Sequence, residues 1–131
     1  MKEVLTYLQN CGTFYLATMD GETPRVRPFG AVAEYDGKLY IVTNNQKKVF
    51  AQMKHHPKVE ISGMYQGTWI RLEAEAIHDE RREARVAMMT ANEKVLSSMY
   101  HVDDQLMEVF YLQNATADFC AFSGETKRMT F

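Results

Sequence analysis

Pro24-Arg25-Val26-Arg27-Pro28-Phe29-Gly30, followed after one short turn by Tyr40-Ile41-Val42-Thr43-Asn44-Asn45-Gln46-Lys47-Lys48-Val49-Phe50, is the stretch that decides how this chain reads. Arg25 and Arg27 stand two apart, which puts both on one face of an extended strand. Pro28 holds Arg27 in extended geometry and removes a backbone donor, so this strand is not centrally paired there and leaves room beside it for a ligand. Further on, a Tyr, Ile and Val run ends in Thr43-Asn44, and a helix begins near Gln46. A helix start offers free N–H groups and the positive end of its dipole. With Thr43, Asn44, Lys47 and Lys48 around it, that start forms a seat for a phosphate.

The flanking segments read as short strands with few helices. Val4, Leu5 and Leu8 predict an N-terminal helix over residues 2–10, with Gly12 where its C-cap belongs. From Thr13 the period becomes two, and Asp20-Gly21 signals a hairpin. A second strand is expected from Pro24 to Glu34, a turn at Asp36-Gly37, and a third strand from Lys38 to Thr43. The helix Gln46 to His55 turns Val49, Phe50 and Met53 to one side and stops before Pro57. Two strands follow, Lys58 to Met64 and one whose faces are Ile70, Leu72, Ala74, Ala76 and Trp69, Arg71, Glu73, Glu75. Residues 79–102 read as helical, with Asp79 as N-cap. Glu108 to Leu112, Ala117 to Phe122 and Lys127 to Phe131 read as three closing strands. The class is mainly β with helices, α+β, arranged as one antiparallel barrel over residues 1–131.

Composition narrows the function. With 15 basic and 17 acidic side chains and a net charge of −2, the chain lacks the field of a general nucleic-acid surface, and its basic cluster is local. No apolar run approaches the ~20 residues of a bilayer span, and Met1-Lys2-Glu3-Val4-Leu5 lacks a signal-peptide core, so a cytoplasmic protein without membrane contact is expected. Cys11 and Cys120 fit reduced structural thiols. His55-His56, His78 and His101 have no ligand spacing, and no metal site is expected. No nucleophile–base pattern or Gly-rich nucleotide loop is present, so the sequence names no catalytic residue.

The order of a basic strand, a Gly turn, a strand ending in Thr43-Asn44, a Lys47-Lys48 helix and a His56-Pro57-Lys58-Val59 strand start resembles the pyridoxamine 5'-phosphate oxidase-like family of FMN-binding split barrels. The match runs from about Cys11 to about Asp79. The resemblance implies FMN as cofactor. Lys48, Lys47 and the Gln46 amide would take its phosphate, and Lys47 stands where the family has Arg, which keeps charge but loses the planar fork. Arg25, Val26, Arg27 and Pro28 would lie along the ring and ribityl phosphate, with Thr43 and Asn44 at the ribityl chain or ring edge. It also implies a homodimer with FMN at the interface, for which Trp69 and Met88-Met89 are the sequence candidates. The activity implied is transfer of hydride or electrons between a small molecule and FMN; a flavin carrier or sensor of the same fold, and more remotely a small barrel for single-stranded nucleic acid, are the other readings. Family enzymes acting on pyridoxamine 5'-phosphate carry a longer C-terminal segment rich in Trp and Arg. This sequence closes on Thr126-Lys127-Arg128-Met129-Thr130-Phe131, so vitamin B6 is not the expected substrate.

Overall fold

The computed structural model describes residues 1–131. The elements in chain order are α1 (Lys2–Cys11), β1 (Phe14–Asp20), β2 (Thr23–Phe29), β3 (Val32–Tyr35), β4 (Lys38–Asn44), α2 (Lys48–His55), β5 (Lys58–Tyr65), β6 (Thr68–Asp79), α3 (Arg82–Ala91), α4 (Glu93–Leu96), β7 (Met107–Ala121) and β8 (Thr126–Thr130). All strands join one antiparallel eight-stranded sheet in the order β2-β1-β5-β6-β7-β4-β3, with β8 on β7. Its first and last strands, β2 and β3, are neighbours in the chain, joined through Gly30 and Ala31 alone. The sheet therefore curls until its ends meet at one corner, and the hydrogen-bonded ladder stays open between them. This is a split barrel.

That corner corrects the single strand expected from Pro24 to Glu34. β2 pairs with β1 and β3 with β4, so the segment belongs to opposite ends of the sheet and breaks at Gly30. A second correction lies in β7, which runs unbroken through Gln113-Asn114, where two strands were expected. The strand takes up an extra residue there as a bulge, Asn114 and Ala115 of β7 standing opposite the single step between Glu73 and Glu75 of β6, with Asn114 at φ +49 and its Nδ2 donating to Glu75 Oε1 at 2.7 Å. The helical stretch after Asp79 is also two helices and a loop. Asp79 ends β6, and its carboxylate accepts the Arg81 amide at 3.0 Å one residue before α3 starts. Asn92 separates α3 from α4, its Nδ2 reaching Val32 O at 2.9 Å and Met88 O at 3.2 Å.

The alternation along each strand sorts the apolar residues into two clusters on the two sides of the sheet. The inner cluster joins Phe14, Leu16, Ile41, Ile61, Leu72 and Phe110 to Val4 and Leu8 of α1 and to Val49 and Met53 of α2. The outer cluster seats Ala84, Met88 and Leu96 of α3 and α4 on Tyr40 and Val109 of β4 and β7. Met88 is thus fully buried within its own chain and unavailable for the expected subunit contact, while Met89 packs beside it and stays partly exposed.

Candidate functional site

The split corner and the start of α2 bound a cleft of about 150 Å³, lined by Arg27, Pro28, Phe29, Gly30 and Ala31 on one side and by Thr43, Lys47 and Val49 on another. Its third wall comes from the segment after α3: Val95, Leu96, Met99 and Tyr100. Four of the nine residues singled out in the sequence, Arg27, Pro28, Thr43 and Lys47, therefore meet in one place.

Thr43 reaches it because β4 alternates. Leu39, Ile41 and Thr43 share the inner face, and Thr43 is the polar end of that row, 3% exposed. Its Oγ1 is buried and has no hydrogen-bond partner. A buried hydroxyl without a partner costs about 1–3 kcal/mol, so this atom is poised for a partner from outside the chain.

The start of α2 supplies donors. Lys47 is the N-cap in extended geometry and makes no side-chain cap. The Lys47 amide donates to Asn44 O at 3.2 Å and the Phe50 amide to Lys47 O at 3.1 Å, while the amides of Lys48 and Val49 have no acceptor within the chain. Two free N–H groups and two lysines at the positive end of a helix suit an anion. The Gln46 amide is not among them. It donates to Asn44 Oδ1 at 3.0 Å, a two-residue turn that shapes the loop, so within the chain the Gln46 backbone N–H is already engaged.

The remaining expected residues are distributed around this centre. Lys48 turns to an adjoining cleft with Gln52, His55 and His56. Asn44 donates to the Tyr100 hydroxyl at 3.2 Å, tying the loop to the third wall. Val26 is 68% exposed on the opposite face of β2, away from the cleft. Arg25 and Arg27 share a face as read, but their surroundings differ. Arg25 lies 3.6 Å from Asp20 in solvent. Arg27 folds inward: Nη1 donates to Leu16 O at 3.1 Å and to Thr18 Oγ1 at 2.7 Å, and Nη2 donates to Gln52 Oε1 at 2.7 Å. Burial, with the like charge of Arg25 behind it, pushes the Arg27 pKa down. Its Nε–H and second Nη2–H remain unpaired for a ligand.

Gln52, Met99 and Tyr100 were not singled out from the sequence. Gln52 falls on the apolar stripe of α2 between Val49 and Met53, which marks it as a buried polar residue in need of a partner; the third wall carries no such signal.

A split barrel with the start of a helix beside its open corner defines a class of small barrel proteins. The family profile described as pyridoxamine 5'-phosphate oxidase matches residues 1–116, and the chain belongs to that family. Among solved structures it is similar to a NimC/NimA family protein from Clostridium acetobutylicum, at 50% identity and TM-score 0.96, covering 100% of this chain and 92% of that one. It shares its fold with a heme binding protein from Mycobacterium smegmatis, at 18% identity and TM-score 0.71 over 96% of this chain and 55% of that one. A FAD-binding protein from Mesorhizobium loti also has this fold, at 16% identity and TM-score 0.62 over 92% and 96% of the two chains. No curated protein matches the chain.

Proposed function

We propose that this protein binds FMN at the split corner and is an oxidoreductase acting on a small molecule, with the complete site formed between two copies of the chain. The observation that carries this reading is the buried, unpartnered Thr43 hydroxyl on a cleft that also holds Arg27 and Lys47. The lysines and the free Lys48 and Val49 amides would take the phosphate. Thr43 would bond the ribityl chain or ring edge, and Arg27 would present its free N–H groups and its charge. Val95, Leu96 and Met99 give the apolar wall that a dimethylbenzene ring requires. Bound flavin supplies the hydride or electron transfer, and the chain supplies position and field. Residues of this chain would exclude water from the ring and favour negative charge on it.

Size and surface support the dimer. The cleft of about 150 Å³ in one chain is well below the ~300–1,000 Å³ of a typical ligand pocket. On the outer sheet face, Tyr15, Val26, Met64 and Phe122 are exposed, and the Trp69 ring meets Phe122 in a tilted contact at 4.9 Å. Apolar side chains so grouped suit a two-fold contact, in which one patch is used twice.

Identification of the molecule released when the purified protein is denatured tests the cofactor. FMN is expected; release of haem, or no release together with failure of the protein to take up FMN, would overturn it. Reduction of the bound flavin by small donors under anaerobic conditions tests the activity, and a flavin that no donor reduces would leave a carrier.

A further inference from the structure

The loop that carries Lys47 and Lys48 is anchored from behind by β7 and the turn before it. The Asn45 amide donates to Leu106 O at 3.0 Å, and Asn45 Nδ2 donates to Gln105 O at 2.7 Å and to Glu108 Oε2 at 2.9 Å. The other Glu108 oxygen, Oε1, lies 2.8 Å from His78 Nε2 on β6. The His78 and Glu108 side chains are only 12% and 18% exposed. His78 is itself fixed, edge-on to Phe50 of α2 at 5.2 Å and packed on Phe110 at 5.1 Å. Glu108 is also the cross-strand neighbour of Thr43.

A carboxylate mostly out of water is unfavourable unless its oxygens are engaged, and one close to an anion seat opposes the anion by simple repulsion. Glu108 has both oxygens engaged, one by a side chain of the seat and one by a residue packed on α2. Its bonds run to Asn45 of the loop on one side and to His78 of β6 on the other, and the His78 ring packs against Phe50 of α2.

We infer that Glu108, oriented by His78, is a positioning residue that sets the Asn44–Lys47 loop against the start of α2 so that both converge on the cofactor phosphate. This rests on the FMN reading above. Glu108 does not touch the ligand; it acts through Asn45. Its removal therefore affects a flavin with a phosphate and spares one without.

The test is the dissociation constants of FMN and riboflavin for the full chain and for Glu108→Ala, Glu108→Gln, Asn45→Ala and the Asn45→Ala/Glu108→Ala pair. A charge-assisted hydrogen bond predicts about tenfold weaker FMN binding for Glu108→Ala and less than about twofold for riboflavin. Glu108→Gln should stay within about threefold of the parent, because its amide oxygen still accepts from Asn45 while His78 takes the other tautomer. The double variant should be no weaker than Glu108→Ala alone, since both substitutions break one link. FMN binding unchanged in Glu108→Ala, equal loss of both flavins, or additive effects in the double variant would each overturn the inference. Should Glu108→Ala fail to fold, Glu108→Gln and Asn45→Ala decide: both binding FMN like the parent, or both losing both flavins equally, overturns it. A parent that does not prefer FMN to riboflavin overturns the phosphate reading itself; a parent that does, with variants that do not differ, overturns only the role of Glu108.

Discussion

Arg27 and Arg25 differ by two positions and share a strand face, yet only Arg27 is part of the folded interior. Its guanidinium satisfies Leu16 O, Thr18 Oγ1 and Gln52 Oε1, and Thr18 in turn donates to Gln52 Oε1 at 2.6 Å. Replacing it by Met leaves Gln52 and Thr18 with fewer partners, so Arg27→Met should destabilise the flavin-free protein by about 1–3 kcal/mol in urea unfolding. Arg25→Met loses only an exposed pair and should cost less than about 1 kcal/mol. Equal effects would contradict the assignment. Thr43 is predicted to behave in the opposite sense: Thr43→Val removes the orphan hydroxyl at nearly constant shape. The flavin-free protein should melt higher while flavin binding weakens several-fold. A lower melting temperature with unchanged binding would show that Thr43 serves packing only. The shared face of the two arginines was legible from their spacing. The partners were not, because Thr18 and Gln52 come from β1 and α2 and only the folded chain brings them to Arg27.

Among the elements, the end of β6 and the start of α3 are joined to β4 by a compact ionic contact. Tyr40 donates to Asp79 Oδ2 at 2.7 Å, and Arg81 Nη2 lies 3.0 Å from the same oxygen. Burial alone would raise the Asp79 pKa, but hydrogen bonds from the Arg81 and Tyr40 side chains and from the Arg81 amide outweigh it and hold the carboxyl down to about 2. The Tyr40 hydroxyl is pushed up, by burial first and by its bond to Asp79 next. A depressed carboxylate pKa contributes stability that is present above the unfolded value, about 3.9, and is lost as pH falls through the folded one. Asp79→Asn should therefore cost about 2 kcal/mol near neutral pH, with the gap to the parent narrowing between about pH 4 and pH 2. Unfolding curves across that range measure it, and a gap independent of pH would contradict the pairing. Most elements were legible from periodicity and turn residues: Asp36-Gly37, at φ +53 and +73, is the turn its sequence announces. The break at Gly30 was not legible, since nothing local says that the two halves of a continuous β pattern pair with opposite ends of a sheet. Asn114 signalled a turn, and its positive φ is real, but a bulge satisfied the same preference without ending the strand.

For the molecule as a whole, the antiparallel barrel was legible in the strand pattern, and the split in it was implied by the family resemblance alone, because openness is a property of strand order. The outer face was legible only at Trp69. Tyr15, Val26 and Met64 stand on β1, β2 and β5, and they become one surface with Trp69 and Phe122 only through the β2-β1-β5-β6 order. If that surface joins two copies and completes the cleft, a charge placed in it removes dimer and cofactor together, so Trp69→Glu should give monomer-leaning, nearly colourless protein. The decisive measurement is sedimentation of the parent protein followed by the absorbance of the flavin itself. The account predicts that FMN travels with a dimer at one flavin per chain. Flavin travelling in full occupancy with a monomer would contradict the shared site, and protein that sediments with no flavin when FMN is supplied would contradict the account at its centre.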